Sequence, residues 1–133
     1  MSRRATARRV NGRYQHSVSV RDHELTVDEP EDSGGDDSGP DPQEMLAVSL
    51  ASCTAITMEM YAKRKGWNIG DIEVEVDYEP AQRGSPTKFR MVTRLPKELP
   101  EEQRERLLQI AAKCPVHRTL EGEVMFEEDV ELS

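Results

Sequence analysis

A chain of 133 residues, 35% hydrophobic and 5% aromatic, has the length of a single domain, and residues 1–133 are read as one domain with a lean core that a partner subunit would complete. Lys and Arg total 18 against 26 Asp and Glu, for a net charge of -8, which argues against nucleic acid or an anionic membrane surface as the main partner. Cys53 and Cys114 are too few for a disulfide-built scaffold, and no apolar leader with a cleavage site precedes the fold, so the cytoplasm is the expected compartment.

Residues 1–9, with Arg3, Arg4, Arg8 and Arg9, read as a basic tail or the start of a first strand. Tyr14, His16, Val18 and Val20 then alternate with polar residues, and Leu25 and Val27 repeat the pattern after Asp22-His23. Period two on both sides of a turn predicts an antiparallel hairpin. Residues 28–41 contain no apolar side chain, only Asp, Glu, Gly, Ser and Pro, and are expected to form a mobile acidic loop. The ligand spacing of a calcium loop with its closing Glu is absent there.

The next segment has the clearest boundaries. Asp41 suits a helix N-cap, Pro42 its first turn and Glu44 the acid of a capping box, while Lys63, Arg64, Lys65 and Gly66 supply a positive last turn and a glycine stop. A helix of about 25 residues is predicted. It carries no charge from Met45 to Met58, so it should be buried on most of its faces, and this run falls short of the roughly 20 residues of a membrane span. Ile72, Val74, Val76 and Tyr78 predict a strand with an acidic outer face. Phe89, Met91, Thr93 and Leu95 predict another whose basic outer residues, Lys88, Arg90 and Arg94, can pair with it. Glu101 to Lys113 reads as an amphipathic helix with Leu107, Leu108, Ile110 and Ala111 inward and a Glu102/Arg106 pair outside. Val124, Phe126, Val130 and Leu132 alternate with Met125, Glu127, Asp129 and Glu131 as a last strand, Glu128 being the misfit. The order β-β-α-β-β-α-β makes the class α+β.

The chemistry lies in the cysteines. Cys53 shares a helix face with Leu46, Ser49, Leu50, Ile56, Thr57 and Met60, so it reads either as a small core filler or as a thiol in an apolar pocket. Pro115 after Cys114 suits the first residue of a new helical turn, placing Cys114 at an N-cap where free amides favour a thiolate. His117 reads as a local cap, and a zinc site would need a fourth ligand beyond Cys53, Cys114 and His117, with only His16 and His23 to offer, so no metal is expected. Together the two thiols fit peroxide reduction: one attacks the O–O bond and becomes a sulfenic acid, and the other condenses with it to a disulfide.

A wider pattern carries a resemblance: Val27-Asp28-Glu29-Pro30, Gly34-Gly35, Gly39-Pro40 with Pro42, Glu44 and Leu46, Ser52-Cys53-Thr54, Met60-Tyr61-Ala62 with Arg64-Lys65-Gly66-Trp67, and Lys113 to Leu120 around Cys114-Pro115. From about Val10 onward the chain resembles the osmotically inducible protein C (OsmC) family, which includes the organic hydroperoxide resistance proteins, and lies closer to its OsmC-like branch. The resemblance implies antiparallel sheets wrapped around a long buried central helix, in an intertwined homodimer with active sites at the interface. It implies a peroxidase in oxidative-stress defence, with Cys53 peroxidatic and Cys114 resolving. The substrate would be a small-molecule organic hydroperoxide and the reductant an external dithiol such as a lipoyl group, with no bound cofactor. The hydroperoxide resistance proteins also use an N-terminal arginine, held by a glutamate ten residues before the cysteine. Arg13, with Arg21 as second choice, is the counterpart here, but the position ten before Cys53 is Gln43. Glu44 falls on the opposite helix face, about 180° from Cys53, and is better explained by the capping box. Glutamine cannot hold an arginine by charge, so the different-class alternative is a non-catalytic protein binding a hydrophobic or thiol-bearing ligand around Cys53.

Overall fold

The computed structural model describes residues 3–132 as an α+β chain. Its elements are β1 (Thr6–Arg9), β2 (His16–Val20), β3 (His23–Val27), a 3-10 turn (Glu31–Ser33), α1 (Pro42–Lys65), β4 (Glu73–Glu79), β5 (Lys88–Arg94), α2 (Glu101–Ala111) and α3 (Pro115–Glu121). They divide into two compact units. One holds the chain up to Val48 together with Tyr78–Phe89, and the other holds Ser49–Asp77 and the chain from Arg90 onward. The basic segment is a strand from Thr6; its residues 1–2 lie outside the described residues, as does Ser133.

In the first unit β1, β2 and β3 form an antiparallel sheet in that order. The predicted hairpin closes at Val20↔His23, with Arg21 taking the tight turn at φ 53°. Residues 28–41 form the expected acidic loop, with one 3-10 turn and a set of internal bonds that composition does not suggest. Asp28, 1% exposed, accepts hydrogen bonds from Ser38 Oγ at 2.7 Å, Ser38 N at 3.1 Å and Glu29 N at 2.8 Å, and its own amide reaches Pro40 O at 3.1 Å. A buried carboxylate is tolerable once it is hydrogen-bonded in this way. The Ser38 hydroxyl, with the Ser38, Glu29 and Asp36 amides, outweighs burial and holds Asp28 below the usual carboxylate range. Glycine permits the close path: a Cβ on Gly35 would stand 2.0 Å from Glu29 O.

α1 starts and stops as its sequence demands. Glu44 N donates to Asp41 Oδ1 at 2.7 Å and Asp41 N to Glu44 Oε1 at 2.8 Å, the reciprocal bonds of a capping box. At the other end Gly66, φ 70°, sends its amide to Lys63 O, and Trp67 N reaches Ala62 O at 2.9 Å, a Schellman ending. The core of the second unit gathers Met58, Tyr61 and Ala62 of α1 with Ile69, Leu99, Leu107 and Ala111. The expected burial on most faces is not met within one chain. Leu50, Thr54, Met58, Tyr61 and Ala62 are buried, but Leu46, Val48, Ile56 and Met60 are exposed, because one chain covers only one side of the helix. By length and composition alone α1 would suffice for a membrane span, longer than its uncharged run suggests, yet Met58, Tyr61 and Ala62 sit in protein core.

β4 and β5 pair as predicted. Arg94 Nη1 meets Glu73 Oε2 at 2.7 Å and Glu75 Oε1 at 3.3 Å, and Lys88 meets Glu79 at 3.7 Å. Three other expectations need correction. Leu108 points outward, 46% exposed, because Leu107 and Ala111, four apart, already define the buried side of α2. Arg106 does not pair with Glu102; its Nε donates to Tyr61 Oη at 2.9 Å and its Nη1 to Gln109 at 3.0 Å, since a guanidinium gains more from a partly buried hydroxyl than from a solvated carboxylate. Finally, residues 123–132 form no strand. Phe126, Val130 and Leu132 are 82%, 86% and 94% exposed: alternation supplies a face, but a strand also needs a neighbouring edge to bond.

Candidate functional site

Both cysteines lie in the second unit, and the local sequence explains how each is held. α2 ends at Ala111, Cys114 N closes on Ala111 O at 3.2 Å, and Pro115 opens α3. Cys114 is the N-cap of α3, as its Pro115 predicts, and its Sγ accepts from His117 N at 3.4 Å. It is 0% exposed. His117 turns its ring to Glu121 one helical turn on, so it caps locally.

Cys53 reaches the same place from the middle of α1. With about 100° per residue, Leu50, Thr54, Met58, Tyr61 and Ala62 sweep one side of the helix while Ile56 and Met60 lie on the other. Cys53 falls on the border and is half-buried. That position lets its sulfur touch Cys114 while remaining open on the other side.

The two thiols hydrogen-bond to each other, and their surroundings treat them unequally. Burial pushes Cys53 up, and the hydrogen bond and charge of Cys114 push it further; the Val116 amide and Thr57 hydroxyl oppose this without reversing it. Burial also acts upward on Cys114, but the bond from Cys53, the His117 amide, the Thr54 hydroxyl and the Val116 amide outweigh it, so Cys114 lies below the ordinary thiol value. Cys114 is therefore the more acidic of the two thiols and Cys53 the one that holds its proton longer. N-capping made Cys114 the better anion in the sequence, and Thr57 was placed on the Cys53 face, but the Thr54 hydroxyl and the Val116 amide were not read as partners of the thiols. The signal was spacing: Thr54 and Thr57 lie one and four residues beyond Cys53.

A groove of about 680 Å³ opens beside the pair. It shares Thr57 and Pro115 with the thiols' surroundings and is walled by Met60 and Ile110.

The remaining site residues belong to the first unit. Arg13 is exposed, its Nη1 reaching Gly34 O at 3.5 Å while its amide meets Asp36 Oδ2 at 3.4 Å. Arg21 occupies the hairpin turn. Gln43 is exposed in the first turn of α1, and Glu44 is engaged in the capping box. Among the described residues, no group of three or more His, Cys, Asp or Glu could hold a metal ion.

The site is thus a pair of free thiols held between two helices of an α+β chain. Residues 35–129 match the family model described as OsmC-like protein, and the chain belongs to that family. Among solved structures it is similar to the OsmC-like protein of Mycoplasma pneumoniae, at 20% identity and TM-score 0.72, covering 92% of this chain and 89% of that one. OhrB, the organic hydroperoxide resistance protein of Bacillus subtilis, shares 22% identity at TM-score 0.62, covering 92% of each chain. A Legionella pneumophila protein described as an organic hydroperoxide resistance protein OsmC and predicted redox protein shares 19% at TM-score 0.62, covering 92% and 90%. No curated protein matches.

Proposed function

We propose that this protein is a thiol-dependent peroxidase that reduces organic hydroperoxides to alcohols in oxidative-stress defence. The observation that carries the reading is the pair itself: two free thiols in mutual hydrogen bond, one half-buried and one fully buried at a helix start. Exposure supports a division of roles. A hydroperoxide can approach Cys53 but not Cys114, so Cys53 attacks and Cys114 resolves.

The proton order suits that division. The Cys114 thiolate takes the Cys53 proton, which turns Cys53 into the nucleophile at the moment of attack. Cys53 sulfur then bonds the distal peroxide oxygen, the O–O bond breaks, and the alkoxide leaves as alcohol after taking a proton. Cys53 is now a sulfenic acid. Cys114 sulfur attacks it, hydroxide leaves as water with the Cys114 proton, and the Cys53–Cys114 disulfide remains. An external dithiol, such as a lipoyl group, reopens it by exchange and leaves as its own disulfide. No bound cofactor takes part. Arg13 is the proposed guanidinium that steadies the Cys53 anion, with Gln43 as its neutral hydrogen-bond partner.

A homodimer fits the same reading. Leu46, Val48 and Ile56 of α1 and Val124, Phe126, Val130 and Leu132 near the C-terminus are exposed in the single chain, apolar side chains that a partner subunit would cover. Two reduced free thiols suit the cytoplasm. One observation favours a second reading: without a glutamate at Gln43 the arginine lacks a charged anchor, and the protein would then bind a hydrophobic or thiol-bearing ligand without turnover. Consumption of cumene hydroperoxide with dihydrolipoamide separates the two. Turnover by the wild type, abolished in Cys53→Ser, supports the peroxidase; a folded dimer without turnover supports the binding protein.

A further inference from the structure

Thr54, Thr57 and Thr119 lie within the helices of the second unit, and Thr57 is the exception among them. Thr54 Oγ1 donates to Leu50 O at 2.8 Å and Thr119 Oγ1 to Pro115 O at 3.0 Å, the backward bond to the carbonyl four residues earlier that a threonine inside a helix can make. Thr57 uses its hydroxyl on a side chain instead. Helical side chains lean toward the N-terminus, so a residue one turn on reaches back over its predecessor. Thr57 lies four residues after Cys53, about 40° round and about 6 Å along α1, and its hydroxyl bonds the Cys53 sulfur. It is also the one uncharged polar residue in the wall of the adjoining groove, among the described residues.

Burial disfavours an anion on Cys53, and two donors oppose it, the Val116 amide and the Thr57 hydroxyl. The Val116 amide also serves Cys114, so its help is shared between the sulfurs. The charged groups bordering the same opening are Lys63 and Arg64 of α1 and Lys113 beyond α2, while on α3 the His117 ring is engaged by Glu121. Lys63 and Arg64 are ten and eleven residues past Cys53, about 15 Å along the helix and out of bonding reach of its sulfur at the backbone level. We propose that Thr57 is a catalytic residue of this chain, the hydrogen-bond donor that holds the Cys53 sulfur as the attacking anion at the groove. When the Cys53 proton passes to Cys114, Thr57 Oγ1 donates to the new anion. As the sulfur bonds the distal peroxide oxygen and the O–O bond breaks, the anionic charge moves to the departing alkoxide and the hydroxyl is released. Thr57 keeps its own proton throughout, so the peroxide reduction needs no further reactant. The proposal rests on the peroxidase reading for the reaction, but the bond between Thr57 and the Cys53 anion does not.

The test therefore has two arms. In the first, Cys53 is made the sole thiol by Cys114→Ser, and its alkylation by iodoacetamide is followed from pH 6 to pH 10 with Thr57, Thr57→Val and Thr57→Ser. Valine keeps the shape and removes the donor, so it should move the pH–rate profile upward and slow alkylation at pH 7 about three- to tenfold, the worth of one hydrogen bond to a charged group. Serine restores the hydroxyl and should restore the profile. In the second arm, kcat/KM for cumene hydroperoxide with dihydrolipoamide is compared in the chain that keeps both cysteines, where Thr57→Val should lose a similar factor and Thr57→Ser should not. Both losses, each rescued by serine, support the proposal. A profile that valine leaves in place, or that serine displaces as far as valine does, overturns it. A displaced profile with no hydroperoxide turnover in any form overturns the peroxidase reading and leaves the bond between Thr57 and the Cys53 anion standing.

Discussion

Thr54 connects the core to the chemistry, and Thr54→Val isolates both roles. Its side chain is 1% exposed and its Oγ1 donates to Leu50 O at 2.8 Å, while the same hydroxyl helps lower Cys114. It has one proton and two claimants: Leu50 O when Cys114 is a thiol, Sγ when Cys114 is a thiolate. Valine keeps the shape and removes the donor. While Cys114 is protonated only the bond to Leu50 O is lost, and that carbonyl keeps its helical partner, so the cost should be about 0.5–1 kcal/mol, or about 2–5 °C in Tm. The sign at higher pH follows from linkage. A thiol lowered on folding contributes stability that is fully present above its unfolded value of about 8.5 and is lost as pH falls through its folded value. Removing Thr54's hydroxyl raises the folded value, so the deficit of Thr54→Val must be larger at pH 9.5 than at pH 6. Urea unfolding at both pH values measures it, and thiolate absorbance near 240 nm should show Cys114 titrating later in the variant. A deficit equal at the two values, with an unmoved absorbance curve, would refute the assignment of Thr54 to the Cys114 anion.

The other predictions test the frame around the thiols. Asp41→Ala removes one arm of the capping box and should cost about 1 kcal/mol in chemical denaturation, whereas Glu44→Gln, which can still accept from Asp41 N, should cost less. Leu107→Ala, from a fully buried position, should cost about 2–5 kcal/mol by the same measurement. Gly35→Ala would force a Cβ to within 2.0 Å of Glu29 O, so residues 28–41 should open to limited proteolysis at a protease dose the wild type resists. Asp28 has its folded pKa depressed, chiefly by Ser38, so its stabilisation is present above its unfolded value and lost as pH falls through the folded one. Asp28→Asn should therefore flatten the acid limb of a Tm–pH profile below about pH 4.

Signals that act between near neighbours could be read from the chain. The capping box of Asp41 and Glu44, the Gly66 stop, the Cys114 cap and the charge pairing of Arg94 with Glu73 all depend on short spacing or alternation. The internal bonds of the acidic loop were not legible, because Ser38 closing on Asp28 and the glycines passing Glu29 and Thr26 are contacts that composition does not encode. The segment after Val124 failed for a related reason, since alternation states which face is apolar but not whether an edge is within reach. At the site, the two sulfurs and the N-cap were legible; the full difference in acidity between them was not, because it depends on the Thr54 hydroxyl and the Val116 and His117 amides converging on Cys114.

Cys53 and Cys114 are expected to act as one redox pair with divided roles. Intact mass measured under non-reducing conditions, after one equivalent of cumene hydroperoxide, tests this directly. Wild type should lose about 2 Da as the disulfide closes, Cys114→Ser should gain about 16 Da as the stalled sulfenic acid, and Cys53→Ser should not change. A wild type whose mass stays constant, or a gain of about 16 Da in Cys53→Ser rather than in Cys114→Ser, would contradict it.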